Sequence, residues 1–331
     1  MLPDGNTLVF AAADEREVRM HDITSDSTWT FLPEATGAKL LSTGHIAYVD
    51  TRGGLWVARF DPKARALVGT PVPVLSGVVL SGGMAPSFSI SRNGTLSYLQ
   101  GEGGAVGPVG QQGLRIIEFQ GGSSTEVPIA HRRYRNVRWS PDGRSLAFAA
   151  LEPGGFSGKT SLYAYNVELQ TATRRLTEEG TQAFPVWSPD GTQIAYLDAQ
   201  TSLGPDGTGM GALGAGDIYT VTVDGGEPTL LIDQEGQDVP YAWATDGSVV
   251  FTGGPDTGSS ELLRAPISAP GTVYTYLDTD GDLGSVAVSP NGRYAAFLSS
   301  EGPGVGLELE VRAYPDPGPP IQVSEGGGDR P

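Results

Sequence analysis

One short phrase, written several times along the chain, constrains this sequence more than any other feature. Trp139-Ser140-Pro141-Asp142-Gly143-Arg144-Ser145-Leu146-Ala147-Phe148 and Trp187-Ser188-Pro189-Asp190-Gly191-Thr192-Gln193-Ile194-Ala195-Tyr196 are nearly the same ten residues. Weaker copies place Asp4-Gly5 before Leu8-Val9-Phe10, Asn93-Gly94 before Leu96-Ser97-Tyr98, Asp246-Gly247 before Val249-Val250-Phe251, and Asn291-Gly292 before Tyr294-Ala295-Ala296-Phe297. The faintest copy is Ser42-Thr43-Gly44 before Ile46-Ala47-Tyr48. The seven marker glycines, at 5, 44, 94, 143, 191, 247 and 292, stand 39 to 56 residues apart, the period of a propeller blade. Asp-Gly and Asn-Gly are strong hairpin signals, because Gly reaches positive φ freely and Asp or Asn tolerates it.

Each unit reads as a short apolar run, the hairpin corner, an alternating run, a variable loop, another alternating run, a Gly-rich turn and a last short run. In the fifth unit the strands are expected near Pro185–Ser188, Gln193–Asp198, Asp217–Val223 and Pro228–Ile232. Four antiparallel strands repeated seven times make an all-β, seven-bladed β-propeller, with approximate blades 1–40, 41–86, 87–134, 135–183, 184–238, 239–284 and 285–331. The spacing of the first and last copies implies that the first blade is shared between the two termini, or completed by residues outside this chain. Composition agrees. The 48 glycines and 25 prolines are about 22% of the chain, nearly twice ordinary usage and incompatible with a mainly helical protein, while 38% hydrophobic residues suffice for a core.

A formal net charge of -17 disfavours nucleic acid and anionic membranes as partners. There is no cysteine, so disulfides, thiolate metal sites and a thiol nucleophile are excluded. No apolar stretch approaches the roughly 18 residues needed to span a bilayer, so no membrane insertion by this chain is expected. Met1-Leu2-Pro3-Asp4-Gly5 carries no signal-peptide pattern.

The Trp-Ser-Pro-Asp-Gly core followed by Ile-Ala-Tyr, with Asp217-Ile218-Tyr219 and Asp224-Gly225-Gly226-Glu227-Pro228 behind it, resembles the WD40-like PD40 repeats of TolB-type propellers. The whole chain is also similar to the propeller at the extracytoplasmic end of some bacterial membrane serine/threonine kinases, where a blade like Gly54-Leu55-Trp56-Val57-Ala58-Arg59-Phe60-Asp61 is common. This resemblance implies a periplasmic or extracellular location. It is specific for fold and weak for function, since the matching residues are turn and core positions.

The long insertions, Gly101–Gly113, Glu152–Lys159, Ala199–Gly216 and Gly253–Ser260, all fall between second and third strands, so one face is elaborated. In repeat proteins that is often the binding face, although neutral surface loops are equally compatible with it. Gly209-Met210-Gly211-Ala212-Leu213-Gly214 has the dinucleotide spacing, but a strand follows where a helix is required. Asp278, Asp280 and Asp282 alternate in one turn and suit calcium. Against this, Leu283 and Ser289 replace the glycine and glutamate of a helix-loop-helix calcium loop, and a solvated acidic inter-blade turn is the favoured reading. Arg132, Arg133, Tyr134 and Arg135 concentrate cationic charge beside an aromatic, a combination suited to an anionic or protein partner and also to ordinary surface pairing. His21, His45 and His131 lie in different repeats, and no local catalytic motif occurs.

The expected function is therefore non-catalytic binding of a protein or peptide, as an extracytoplasmic sensor, a scaffold or a self-assembling homo-oligomer or filament. The alternative is a calcium-dependent hydrolase or lactonase-like propeller.

Overall fold

The computed structural model describes residues 2, 5–12, 16–41, 43–78, 80–81, 85–86, 88–91, 94–100, 113–118, 124–127, 134–151, 159–169, 174–177, 180–199, 215–253, 261–279, 281–300 and 306–324. They form a seven-bladed β-propeller. Each of the six four-stranded blades is an antiparallel meander with its first strand innermost. The blades are β4(Ala35–Leu40) to β7(Ala66–Leu75), β10(Phe88–Ile90) to β13(Ser124–Glu126), β14(Tyr134–Trp139) to β17(Arg174–Arg175), β18(Gln182–Trp187) to β21(Thr229–Ile232), β22(Val239–Trp243) to β25(Tyr274–Asp278) and β26(Leu283–Val288) to β29(Ile321–Gln322). Among the described residues the first blade has three strands, β1(Thr7–Ala12), β2(Glu17–Asp22) and β3(Ser27–Pro33). A two-stranded ribbon, β8(Leu80–Ser81) with β9(Ala85–Pro86), joins the second and third blades. The terminal residues 325–331, on which the expected sharing of the first blade turns, lie outside the described residues.

The repeated phrase folds for identifiable reasons. All seven marker glycines have positive φ, between 66° and 89°, a region that penalises a Cβ. Ser140, Ser188 and Ser289 donate to Asp142, Asp190 and Asn291 at 2.6, 2.6 and 2.7 Å. The same three hydroxyls accept the backbone N–H of Ser145, Gln193 and Tyr294 at 2.9 to 3.0 Å. The side chains thus satisfy backbone donors that the hairpin corner would otherwise orphan.

The second strands carry the core. Phe148, Tyr196, Phe251 and Phe297 fall at one repeat position and each is at most 1% exposed, burial that contributes about 1.5–3 kcal/mol apiece. Apolar clusters fill every junction between successive blades. One of them closes the ring, bringing Leu8 and Phe10 of the first blade against Leu298, Leu309 and Val311 of the seventh. Thr28 Oγ1 adds a hydrogen bond across the same seam to the Val323 carbonyl, 3.3 Å.

The fifth blade departs from the sequence expectation at one end. Its inner strand begins at Gln182 rather than Pro185, because a bulge between Ala183 and Val186 lets the strand run through the proline. Phe184 takes positive φ at 52°, and Pro185, which has no N–H to donate, falls where the ladder is interrupted. Asn136 and Ser285 repeat this at 52° and 49° beside bulges in β14 and β26.

Candidate functional site

The meander sends the second-to-third strand connections and the inter-blade connections to one face, and the tight first-to-second hairpins to the other. The long insertions therefore share a face with the start of each inner strand. Their tips, including Gly209–Gly214, lie outside the described residues, but their bases are held firmly. Gly216 opens β20 (Gly216–Thr222) by donating to the Gly236 carbonyl, and its own carbonyl accepts from the Asp238 N–H, both at 2.9 Å. Thr160 repeats this docking one blade earlier, donating to Gly180 at 2.9 Å. At Gly216 there is no room for a side chain, since a Cβ would lie 2.7 Å from the Ala199 Cα.

This docking brings four carboxylates from the fifth and sixth blades together. Asp198 ends β19 (Gln193–Ala199) and lies opposite Asp217 of β20, while Asp233 and Asp238 flank the inter-blade connection. Asp233 is exposed, Asp198 and Asp217 are half-buried, and Asp238 is fully buried. Neither carboxylate oxygen of Asp238 has a hydrogen-bond partner among the described residues. Burial, reinforced by the charges of Asp217 and then Asp233, pushes its carboxyl up to about 7; the Gln234 backbone offsets part of this rise without reaching hydrogen-bonding geometry. Asp217 is raised too, by burial and then by Asp233 and Asp198.

The repeat explains why Asp238 is alone. Gln182 holds the equivalent place in the fifth blade, opposite Asp198, and donates from Nε2 to both of its oxygens at 3.1 and 3.2 Å, while its own Oε1 accepts from Thr177 at 3.1 Å. In the sixth blade the residue facing Asp238 is Gly253, whose hypothetical Cβ would sit 2.6 Å from Asp238 Oδ1. A carboxylate thus stands where the fifth blade has an amide, and the partner side chain is missing.

The residues singled out from sequence are dispersed. Asp278 ends β25 and Asp282 precedes β26, both exposed, and Asp280 lies outside the described residues. The turn between them is tied by its own backbone: Thr279 Oγ1 donates to the Gly281 carbonyl at 3.1 Å and the Asp282 N–H to Ser300 Oγ at 2.8 Å. No three carboxylate or histidine side chains converge as a metal site among the described residues. Arg132 and Arg133 lie outside the described residues, and Arg135 is placed only as backbone in β14. Tyr134 is 4% exposed, packed edge-on to Phe148 at 5.8 Å, so its ring belongs to the core between the third and fourth blades. Asp238 escaped the sequence reading because no motif marks it. The available signal was the alignment of repeats, which sets Tyr134, Gln182 and Asp238 at one position.

No family model matches the chain. Over 82 residues it is 27% identical to the Tol-Pal system protein TolB of Alcanivorax borkumensis, covering 25% of this chain and 18% of that protein. Over 188 residues it is 28% identical to a Bacillus subtilis protein named as the uncharacterized peptidase YuxL, covering 56% of this chain and 24% of that one. The matches therefore span less than a quarter of either relative's length. Among solved structures, TolB from Acinetobacter baumannii superposes with a TM-score of 0.55 at 16% identity, over 95% of this chain and 77% of that one. An oligogalacturonate lyase in complex with manganese superposes with 0.66 at 15%, over 94% and 86%. At these identities the likeness is one of fold, a TolB-like propeller that other proteins use for different chemistry. No helix in the described residues is long and apolar enough to cross a membrane.

Proposed function

We propose that this chain is a non-catalytic binding propeller that takes a basic protein or peptide segment on the loop-bearing face, outside the cytoplasm. The observation that carries this reading is Asp238, a buried carboxylate whose two oxygens have no partner among the described residues. An uncompensated interior charge is costly, and an arriving ammonium or guanidinium supplies the counter-charge. The exposed Asp233 and the half-buried Asp217 and Asp198 extend the negative potential from solvent inward, an arrangement that attracts cations. Functional segments of repeat scaffolds concentrate where their long connections converge, and these carboxylates sit at the base of one such connection.

Isothermal titration with a short Lys/Arg-rich peptide tests this reading. Binding should weaken at least tenfold in an Asp217→Asn/Asp233→Asn double variant and should weaken with added salt. A peptide that fails to bind at low salt, or binds the variant equally well, overturns it. The likeness to TolB-type propellers supports the extracytoplasmic assignment, as the sensor domain of a membrane kinase or a periplasmic scaffold. Self-association into a homo-oligomer or filament is tested by light scattering over a concentration series, where a monomer at every concentration removes it.

A further inference from the structure

The charge of this chain is unevenly distributed. Between Arg175 and Arg293 the sequence has 17 acidic residues and one basic residue, Arg264, so this stretch carries nearly all of the net charge of -17. It spans the fifth and sixth blades. Arg264 is engaged elsewhere, its guanidinium lying over the Tyr274 ring at 4.9 Å. No basic side chain of these two blades is therefore placed to neutralise Asp238, which is fully buried with both carboxylate oxygens unpartnered among the described residues.

The elements around Asp238 share this lack of counter-charge. Its backbone N–H donates to the Gly216 carbonyl at 2.9 Å, which sets Asp217 of β20 beside it, and Asp198 of β19 pairs with Asp217. Its own connection carries Asp233 and Glu235, both exposed. On the other side Gly253 ends β23(Ser248–Gly253) and pairs with Glu261 at the start of β24(Glu261–Pro266). There the close neighbours of Gly253, apart from Asp238 Oδ1, are carbon atoms of Leu263 and Phe251. The inner strand β22 adds Tyr241. Of the adjoining inner strands, β18 offers the Gln182 amide, committed to Asp198, and β26 is preceded by the exposed Asp282.

Neutral groups, Tyr134 and Gln182, hold this repeat position in the two preceding blades. A carboxyl imitates them only when it carries its proton, and burial among other carboxylates favours that form, in line with the raised Asp238 carboxyl. A bridging water would solvate an oxygen without supplying charge. A cation of a bound peptide does supply it. Even when seated on the exposed Asp233 and the half-buried Asp217, it acts on Asp238 through a poorly screened interior and favours the ionised form.

Given the basic-peptide site proposed above, on which this rests, we propose that occupation of that site is coupled to loss of the Asp238 proton. One proton passes to solvent as the cation arrives, and a fall in pH releases the peptide. In the free protein Asp238 is protonated below about pH 7, whereas beside the cation it is ionised. Affinity therefore rises with pH up to about 7 and is level above it.

The test is isothermal titration of the intact chain with an acetylated, histidine-free Lys/Arg peptide. It is run at equal ionic strength in cacodylate and in ACES, buffers whose ionisation enthalpies differ widely, so that the difference in heat counts the protons released. At pH 6 the wild type should release between about half and one proton per peptide, and at pH 8.5 almost none. Its dissociation constant should be about five- to tenfold larger at pH 6 than at pH 8. Asp238→Asn, which fixes the neutral form, should lose more than half of the release at pH 6 and bind at pH 8 about as weakly as the wild type does at pH 6. This variant retains the histidines, so their titration cannot account for the loss. Binding with equal heats in the two buffers, or an Asp238→Asn protein that binds at pH 8 as tightly as the wild type, overturns the coupling and leaves the peptide site standing. No binding at either pH in low salt overturns the peptide site and the coupling with it.

Discussion

The indole Nε1–H of Trp187 donates to the backbone carbonyl of Arg138 at 3.1 Å, tying the inner strand of the fifth blade to that of the fourth. Trp139 does the same one blade earlier, to the Ser89 carbonyl at 3.2 Å. The repeated tryptophan is therefore a latch between blades as well as a core residue. Because Arg138 lends its carbonyl to this latch, its backbone is fixed by the next blade.

The latch predicts a contrast between two tryptophans. Trp187→Phe keeps most of the buried ring but removes its hydrogen bond to the Arg138 carbonyl, and should cost about 1 kcal/mol beyond the lost area. Trp243 makes no such hydrogen bond among the described residues, so Trp243→Phe should cost less. Urea unfolding of the two variants side by side checks the difference, and equal losses would remove the latch as an energetic element.

Asp238 predicts a pH dependence with a definite sign. The folded state holds its proton up to about pH 7, whereas the unfolded chain releases it near pH 4. Between those values the folded state binds more protons, so this group's contribution falls as pH rises and is level above about pH 7. The full span is at most about 4 kcal/mol, at about 1.4 kcal/mol per pH unit. Asp238→Asn should therefore gain stability relative to the wild type at pH 8 and lose that advantage at pH 4. Chemical denaturation at the two pH values measures it, and parallel pH profiles would contradict the assignment.

Two glycines should respond to alanine for different reasons. At Gly281 a Cβ would lie 1.9 Å from the Ser300 carbonyl oxygen, which is backbone and cannot swing away. Gly281→Ala should cost about 2–4 kcal/mol through forced displacement of the strand. Gly271 has φ +79° with nothing within 4 Å of the added carbon, so Gly271→Ala should cost only the left-handed strain, about 1–2 kcal/mol. Denaturation midpoints for the pair should preserve that order.

The turn bearing Asp278, Asp280 and Asp282 is already closed by Thr279 and Ser300. Its melting should be the same in millimolar calcium and in EDTA. A calcium-dependent rise that disappears when all three carboxylates become amides would instead establish a metal site.

Much of the fold was legible because each blade writes its own corner. Asp142-Gly143 and Asp190-Gly191 are local signals, with positive φ and serine-to-aspartate bonding decided within five residues, so repetition alone yielded the blades and their strand order. Pro185 misled for the same reason. Read locally it starts a strand, but the bulge that accommodates it depends on the register with β19. Tyr134 misled more instructively, since its neighbours are arginines in sequence while its ring is surrounded by the core of two blades.

The sequence by itself determined the seven-bladed all-β architecture, the hairpin corners and the face that carries the insertions, because all of these follow from turn chemistry and alternation over a few residues. Only the tertiary structure decided that Asp238 faces Gly253 instead of a partner, and that the indole of Trp187 reaches the Arg138 carbonyl of the preceding blade. Those relationships arise from closing the ring, which brings distant repeats to a common axis and leaves particular charges without the neighbours that other blades provide.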